Sequence, residues 1–498
     1  MGTVLSECYQ GSPRQCHKFD FVPGYNLIGE GYDIVKLKTT NTYVIDVESY
    51  LHPTNSCTLV KNSFFKNAWQ KLPISVVDWR SFDSCDFGFQ SFRFPSVTSL
   101  LQSLSRYFQN DWKVGLNVPK AKSLHYVGTK SQIHEFATSF ASGGKSSFAS
   151  HSFACSYYSF RLTSKPPLSH TFFQDIRSLP KYYCKSTREQ YRHFIDIYGT
   201  HYIRLVRLGG MVMRVTGIQH CVAELSKVSI SQMEDCFKME LPRSLDQGFQ
   251  LEPMSEQCSN VFAKYNHVKS DSKDSKININ FDFKDGKGWK GDTITDSEAF
   301  KKWRRSLKTF PAIISFDIHP LHKLVPYRVI SNNLRKAIEE YLTENKKKIE
   351  EPVCKVRSPN LSPDCCPLQS KRGRLTVVIH RGYGLHGRVG RPSDAYVTVR
   401  HGGQHRRTHM IQSYDPFWNT YYDFGIVNTD INLVVEAFDQ DWFRDIRHGT
   451  CDINIVQGQH GYWCPMSHEG IAISLTYTLT CDHYLTDLKC NRYSSSPT

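Results

Sequence analysis

Apolar and polar positions follow two different patterns along this chain. Up to about residue 345, segments with helical spacing, such as Ser99 to Phe108 and Asn332 to Leu342, are mixed with strand-like segments and no internal repeat occurs. From Leu375 the pattern changes to short alternating strands, in which Leu375, Val377 and Ile379 share one face. The chain is therefore predicted to fold as a large α+β domain followed by an all-β sandwich.

The segment between these two regions has a composition of its own. It begins with Lys346-Lys347-Lys348 and then becomes rich in Pro and Cys, with Cys354, Cys365 and Cys366 close together. Such a segment is typical of a linker held by disulfides. We therefore expect a first domain at 1–345, a Cys-containing linker at 346–373, and an all-β domain with a C-terminal extension at 374–498.

The cysteines indicate an oxidising compartment. The chain has 16 of them, spread from Cys8 to Cys490 and without the paired spacings of zinc sites, which favours a disulfide framework and secretion. The first residues lack the basic and apolar regions of a signal peptide, and Gly2 with Ser6 fits a loose N-myristoylation pattern. A processed or incomplete N-terminus explains the missing leader better than myristoylation does.

The net charge narrows the class of partner. A formal charge of +15 attracts anionic partners, which are either phospholipid headgroups or nucleic acids. No nucleic-acid-binding motif accompanies the basic residues, so a phospholipid membrane is the expected partner and nucleic acid is not. No apolar run approaches the roughly 20 residues of a membrane-spanning helix.

One short motif carries most of the family information. A half-buried strand is predicted by Ile203, Leu205, Val206 and Leu208, and the Gly pair that ends it lets the backbone bend or turn sharply. The motif consists of Tyr198, Gly199, Thr200, His201 and Tyr202, followed by Gly209 and Gly210. Other segments accompany it in order: His17-Lys18-Phe19, Phe21 to Gly24, Gly29 to Gly31, Asn110 to Leu116, Ser393 to Tyr396 and Phe438 to Asp441.

Together these segments resemble the membrane-attack-complex/perforin (MACPF) family, and within it the perforin-like members with a C-terminal C2 domain. The resemblance spans nearly the whole chain. It implies an α+β fold: a MACPF/CDC-type domain with a bent central antiparallel sheet and flanking helical clusters, followed by an all-β C2 sandwich. The family's small EGF-like module has only a fragment here, ending at Cys365-Cys366, so the linker is expected to be shorter or differently bridged.

In this family two helical clusters beside the sheet unfold into β-hairpins that cross the bilayer, and here they match residues 120–156 and 217–301. The second region contains an alternating segment with one apolar and one polar face, as a pore wall requires. Its apolar positions are Ile277, Ile279, Phe281 and Phe283, and its polar positions are Lys276, Asn278, Asn280 and Asp282. An ordinary amphipathic strand of the soluble core is an equal alternative. The alternation falls slightly short of the roughly 9 to 11 tilted residues of a membrane strand.

The first of these regions is less informative. It is rich in Ser and Gly from Ala137 to Phe153, with Phe136, Phe140 and Phe148 spaced irregularly. A low-stability region that changes fold has this composition, but so does a long surface loop.

Four carboxylates suggest a cation site in the C-terminal domain. Asp394 precedes a predicted strand, while Asp439, Asp441 and Asp445 follow the apolar run that ends at Phe438. If both loops lie at one end of a sandwich, the four converge and favour calcium, a hard cation that prefers oxygen ligands. The arrangement resembles the calcium loops of a C2 domain, and Asp415 to Asn419 resembles the Asn-Pro-x-Trp turn of that fold.

The sequence departs from this pattern at one ligand position. C2 domains that bind calcium usually have a further Asp six residues before the position of Asp394, where this chain has Arg388. The third loop is also one residue short between Asp445 and Gly449. Two hypotheses remain open: calcium binds more weakly or at fewer sites, or Arg388 contacts a lipid phosphate directly.

The resemblance also implies disulfide pairs. They are Cys85 with Cys155, Cys221 with Cys236, Cys451 with Cys464, and Cys481 with Cys490. Cys8, Cys16 and Cys57 match cysteines near the family's N-terminus, but Val60 stands where a fourth is expected, so one thiol is expected to be left over.

The resemblance thus implies a secreted cytolytic protein of immunity. Its C2 domain binds target membranes with calcium, its copies form a homo-oligomeric ring, and its MACPF domain inserts a transmembrane β-barrel pore. The alternative is a MACPF protein that binds membranes, in adhesion or signalling, without perforating them and with weakened calcium dependence. No enzyme is expected, because the chain lacks a G-x-S-x-G motif and His201 has no apparent nucleophilic partner.

Overall fold

The structure is a computed structural model of the chain. It describes residues 8–85, 90–119, 124–142, 144–239, 255–268, 280–284, 297–348, 354, 356–466 and 470–495. No helix within these ranges combines the length and the apolar character that crossing a membrane would require.

The helices and strands have the following bounds. The α-helices of the described residues are α1 (Pro13–Lys18), α2 (Val97–Ser103), α3 (Gln132–Ser142), α4 (His170–Ser178), α5 (Arg188–Tyr198), α6 (His220–Leu225), α7 (Ile230–Met239), α8 (Glu256–Val268), α9 (Ser297–Ser306) and α10 (Arg328–Glu344). The strands of the first region are β1 (Cys8–Gly11), β2 (Glu30–Asp33), β3 (Lys38–Tyr43), β4 (Cys57–Asn62), β5 (Ala68–Lys71), β6 (Val76–Cys85), β7 (Gln90–Phe94), β8 (Leu124–His125), β9 (Ser146–Leu162), β10 (His201–Gln219), β11 (Asn280–Lys284), β12 (Ala312–Pro320) and β13 (Lys347–Lys348). Those that follow are β14 (Arg372–Tyr383), β15 (Ser393–His401), β16 (Gln404–Arg407), β17 (Ile411–Ser413), β18 (Phe417–Asn428), β19 (Leu433–Asp439), β20 (Ile446–Ile453), β21 (Gly458–Pro465), β22 (Ala472–Cys481), β23 (Leu485–Thr486) and β24 (Arg492–Tyr493).

An antiparallel sheet forms the centre of the first region. Its strands run in the order β3-β2-β10-β9-β6, with β11 and β12 also on β10 and β7 also on β9. The two central strands are long, with 17 residues in β9 and 19 in β10. Burial alternates along β9, where Phe153, Cys155 and Tyr157 are buried while Ser152 and Ser156 are partly exposed. The mixed helix-and-sheet fold predicted for this region is confirmed.

The Gly pair does not end its strand. Gly209 and Gly210 lie in the middle of β10, which continues to Gln219, so the predicted strand end at this point is wrong. The pairing of β10 with β9 is irregular between Leu208 and Gly209, which is the mark of a β-bulge. A bulge bends a strand and strengthens its twist, so the pair bends the sheet without interrupting it.

The first helical cluster packs tightly on this sheet. Ala137 and Phe140 of α3 are buried, and the ring centroids of Phe140 and Phe148 lie 5.8 Å apart. Phe153 is buried farther along β9. The surface-loop interpretation of Ala137 to Phe153 is therefore wrong, because aromatic spacing that looks irregular along the chain belongs to a helix followed by a strand.

A second helical cluster, α6 to α8, has its own small core. Met233 of α7 and Tyr265 of α8 are fully buried there, next to the disulfide between Cys236 and Cys258. Tyr493 of the C-terminal extension belongs to the same core. The extension is thus packed against the helices that the family resemblance assigns to the second hairpin region.

The second region is a sandwich of two antiparallel sheets. One has the order β18-β14-β22-β21, and the other β16-β15-β19-β20 with β17 on β15. Leu375, Val377 and Ile379 are all fully buried between them, together with Val399 and Val435. The all-β fold predicted from the alternation at Leu375 is confirmed.

Seven disulfides occur among the residues that the structure describes. Three match the expected pairs: Cys85–Cys155, Cys451–Cys464 and Cys481–Cys490. The others are Cys16–Cys57, Cys221–Cys366, Cys236–Cys258 and Cys354–Cys365.

The expected pair Cys221–Cys236 is wrong. Cys221 instead ties α6 to the linker through Cys366, while Cys236 joins α7 to α8. Two thiols are left over, and both Cys8 and Cys184 are exposed. Cys8 faces Val60 across the β1–β4 pair, which explains why Cys8 has no disulfide partner there.

Candidate functional site

The signature residues form a buried junction between strands. Gly199 has a positive φ of 79°, and a β-carbon there would lie 2.6 Å from the carbonyl oxygen of Tyr32, so only glycine fits. The hydroxyl of Thr200 donates to the same carbonyl oxygen at 3.2 Å and accepts from the backbone N–H of Ile34 at 3.2 Å. The phenol of Tyr198 donates to Asp175 at 2.6 Å. The motif thus holds the end of α5 against β2.

His201 occupies the centre of this junction. It is 0% exposed, with Nδ1 2.8 Å from the hydroxyl of Thr200 and Nε2 3.0 Å from the carbonyl oxygen of Trp112. The pKa of His201 is lowered to about 3, mainly by burial; the bond to Trp112 acts in the opposite sense, and the nearby His322 in the same sense as burial. His201 is therefore a neutral packing residue at pH 7, in agreement with its lack of a nucleophilic partner.

Asp394 and Asp439, two of the predicted calcium ligands, meet at one end of the sandwich. Asp394 lies at the start of β15 and Asp439 at the end of β19. The carboxylate of Asp439 is buried, and its Oδ1 accepts from the hydroxyl of Ser393 at 2.9 Å and from the backbone N–H of Asp394 at 2.7 Å. The loops before β15 and after β19 therefore lie side by side, as the sequence predicts.

Asp441 and Asp445 are engaged by donors of the protein itself. The Nε of Arg388 lies 3.2 Å from Oδ2 of Asp441, whose Oδ1 accepts from the backbone N–H of Trp442 at 2.8 Å. Oδ1 of Asp445 accepts from the backbone N–H of Asp441 at 3.2 Å, and the phenol of Tyr396 donates to Oδ2. Burial raises the pKa of Tyr396 to about 12, and the hydrogen bond to Asp445 contributes in the same direction.

The oxygen atoms of the four Asp side chains suit calcium, but in this structure they do not converge on one point. All four carboxylates supply the oxygen ligands that calcium prefers. Within the ranges that the structure describes, however, no three His, Cys, Asp or Glu side chains are placed to hold one metal ion. Asp441 points to Arg388 instead, so a calcium ion would fit this set only after the ion pair opens. Calcium binding at these residues stays a prediction.

The residues between the acidic positions were missed by the sequence analysis. Trp442 is 94% exposed and Phe443 is 96% exposed, at the tip of the loop between β19 and β20. Large aromatic side chains with this exposure need a reason, because water solvates their rings poorly. The signal was present in the sequence as two adjacent aromatics inside an acidic loop.

A second aromatic group lies at the same end of the sandwich. Trp463 is exposed near the end of β21, and its ring centroid is 4.5 Å from that of Tyr383 at the end of β14. The guanidinium of Arg381 lies 4.4 Å above the Tyr383 ring. The end of the sandwich that carries Trp442 and Phe443 thus has further aromatic and cationic side chains.

The predicted membrane strand is only partly within the described residues. Phe281 and Phe283 lie on β11, which pairs antiparallel with β10, with Phe283 opposite Val212. Ile277 and Ile279 lie outside the described residues. The described part is therefore a strand of the central sheet in this structure. Its alternation still fits either a strand that later inserts into the membrane or an ordinary amphipathic strand of the soluble core.

Comparison with known proteins assigns the family. A model of the MAC/Perforin domain matches residues 21–351, which is well over half of the chain. The chain belongs to the MACPF family. A C2-domain model matches residues 373–466, so a MACPF domain is followed by a C2 domain, as the resemblance implies.

Curated relatives extend the match to nearly the full chain. Perforin-1 of Rattus norvegicus is 30% identical over 538 aligned residues, which cover 99% of this MACPF chain and 94% of its own. Perforin-1 of Homo sapiens is 29% identical, covering 93% of this chain and 89% of its own. Complement component C9 of Oncorhynchus mykiss is 21% identical over 70% of this chain and 66% of its own. The chain is thus similar to proteins of a family that forms pores and attacks membranes.

Proposed function

We propose that this MACPF protein is a secreted, perforin-like cytolytic protein. Its C2 domain docks on the phospholipid membrane of a target cell, its copies assemble into a ring, and the MACPF domain inserts a transmembrane β-barrel pore. No catalytic step is required at any stage. We assign the MACPF domain to 1–345, the linker to 346–373, and the C2 domain with its extension to 374–498.

The exposed pair Trp442 and Phe443 is the observation that carries the docking step. Both side chains project from the end of the sandwich that also holds the acidic residues. Aromatic side chains are favoured at the interface between water and hydrocarbon, and fully burying one contributes about 1.5–3 kcal/mol. Exposed cationic side chains around them, such as Arg391 and Arg444, suit the anionic headgroups.

Calcium is proposed to strengthen this docking. Asp394, Asp439, Asp441 and Asp445 are the residues that would hold it. Once bound, calcium would neutralise part of their charge and offer open coordination positions to lipid phosphates. Any carboxylate charge that remains unneutralised would repel an anionic surface.

Insertion is proposed to use the two helical clusters. The regions at 120–156 and 217–301 continue the long central strands β9 and β10, so each would extend an existing strand pair into a hairpin. An isolated hairpin in hydrocarbon leaves backbone groups unpaired at several kcal/mol each, and a closed ring of copies satisfies them. Oligomerisation therefore follows from the insertion step.

Release of an entrapped dye tests this function. Full-length protein is added to phosphatidylserine-containing liposomes with calcium, and membranes are then imaged for rings. Leakage together with rings is expected. Binding without leakage would refute the cytolytic proposal and support the alternative, a non-lytic membrane-binding protein in adhesion or signalling.

One observation favours that alternative. Arg388 stands at a usual ligand position and pairs with Asp441, which argues for weakened calcium dependence. It bears on how the C2 domain docks, however, and not on whether the MACPF domain perforates. We therefore keep the cytolytic function as the conclusion.

A further inference from the structure

We propose that Arg388 acts as a resident cation at the membrane-docking end, so that docking persists without calcium. This inference rests on the proposed membrane docking of the C2 domain. It concerns the regulation of that step, because a cation built into the chain is present at every calcium concentration.

The loop that carries Arg388 is held in place. The backbone N–H of Gly387 donates to the carbonyl oxygen of Arg391 at 2.8 Å, which closes a tight turn around Arg388. The phenol of Tyr414 donates to the carbonyl oxygen of Gly390 at 2.6 Å and ties the turn to the neighbouring segment. These bonds hold the backbone from which the Arg388 side chain extends toward Asp441.

Arg388 makes its ion pair while remaining accessible. Its side chain is 72% exposed, whereas that of Asp441 is 28% exposed, and Nε approaches Oδ2 of Asp441 at 3.2 Å. A guanidinium has five N–H donors in a planar fork, so one contact to a carboxylate leaves donors for a second anion. A lipid phosphate approaching this end would meet such a group.

A second guanidinium, that of Arg407, contacts the acidic loop at Gln440. Arg407 donates to the side-chain oxygen of Gln440 at 2.7 Å and lies 3.6 Å above the ring of Tyr396. Tyr396 in turn donates to Asp445. Arg388 thus pairs directly with one carboxylate of the acidic loop, and Arg407 adds a second positive charge beside that loop at Gln440.

This arrangement has two consequences for calcium. An ion entering beside Asp441 meets the positive charge of Arg388 and must displace it, which weakens calcium binding. The membrane, in contrast, meets a surface whose negative charge is already partly offset. Calcium should therefore change docking by only a small factor.

The charge reversal Arg388→Asp tests the inference, because it removes the cation and supplies an oxygen ligand. Arg391→Asp is the matched control, since it reverses the charge of another exposed arginine on the same loop. Full-length proteins are sedimented with vesicles of phosphatidylserine and phosphatidylcholine, in calcium or in EGTA. Calorimetric titration with calcium alone provides a second measurement.

The native protein is expected to bind these vesicles in EGTA with nearly the affinity that it has in calcium. Arg388→Asp is expected to lose at least roughly tenfold of its affinity in EGTA and to recover it in calcium, with tighter calcium binding by calorimetry. Arg391→Asp should weaken binding equally in both conditions. Arg388→Lys, which keeps the charge, should still bind in EGTA.

Each other outcome is decisive. If the native protein binds only in calcium, or binds calcium with sub-micromolar affinity, the inference is overturned while the proposed docking function stands. If Arg388→Asp behaves like Arg391→Asp in calcium and EGTA, the special role of Arg388 is overturned. If the native protein binds no vesicles in either condition, the proposed docking function itself fails.

Discussion

The carbonyl oxygen of Cys155 lies only 1.7 Å from the point that a β-carbon on Gly209 would occupy. No side chain fits there, because the backbone of β9 at Cys155 and Ser156 occupies that space beside the bulge. Gly209→Ala is therefore expected to lower the free energy of unfolding by at least about 2 kcal/mol, which thermal unfolding measures. Gly461→Ala is the control, since no atom lies within 4 Å of the point where its β-carbon would stand. Equal melting temperatures for the two variants would contradict the close approach.

Removing the aromatic pair of the C2 domain should separate docking from folding. The double variant Trp442→Ala with Phe443→Ala is expected to bind vesicles more weakly. Each lost side chain removes at most about 1.5–3 kcal/mol of burial in the membrane, which corresponds to a loss of affinity of about 10- to 100-fold. Stability should not change, since both side chains are exposed in the free protein. Tyr421→Ala removes an exposed aromatic from the middle of β18 and serves as control. Undiminished binding by the double variant would exclude the pair from docking.

Acid pH should destabilise the MACPF domain through His201. Burial lowers its pKa from about 6.5 to about 3, so the neutral form is favoured by folding. The stability due to this shift is fully present above pH 6.5 and is lost progressively as the pH falls toward 3. Between pH 7.4 and pH 5 the loss is about 2 kcal/mol.

Thermal unfolding of the full chain at the two pH values measures this effect. His201→Gln should reduce the difference between them, whatever its own stability, while His409→Gln, a change at an exposed histidine of the C2 domain, should not. The same pH dependence in His201→Gln as in the native protein would show that other groups cause it.

The disulfide of the second helical cluster should stabilise the monomer. Replacing both Cys236 and Cys258 by Ser is expected to lower the free energy of unfolding by about 2–4 kcal/mol. The native protein, with this bond intact, should nevertheless cause liposome leakage in the absence of a reductant. Cys451→Ser with Cys464→Ser removes a bond of the C2 domain and is the control. If the native protein and the C2-domain variant leaked only after reduction, while the variant without Cys236 and Cys258 leaked without it, the Cys236–Cys258 bond would be shown to block refolding.

Alternation and motif order were enough to predict the fold class. The buried face of Leu375, Val377 and Ile379 follows from period-two spacing alone, because one side of a sandwich strand must face the core. The position of Gly209 and Gly210 was not predictable in this way. A glycine pair fits a turn and a bulge equally well, and only the pairing with β9 decides between them.

The site was predicted by residue type more than by geometry. Asp394 and Asp439 lie side by side because β15 begins where its antiparallel neighbour β19 ends. The ion pair between Arg388 and Asp441 joins residues of different loops, so no local pattern specifies it. Trp442 and Phe443 were missed because hydrophobic residues are normally assigned to the core.

The pairing of β10 with β11 bears on where Cys236 and Cys258 would lie if this region became a hairpin. Val215 lies opposite Asn280 in this antiparallel pair. If the same register continued beyond β10 and before β11, Cys236 would lie opposite Ser259, next to its disulfide partner Cys258. In a hairpin of the kind proposed for insertion, the two cysteines that join α7 to α8 would therefore be near neighbours. The same covalent bond could then persist from the soluble form into the inserted one and fix the offset between the two arms of the hairpin.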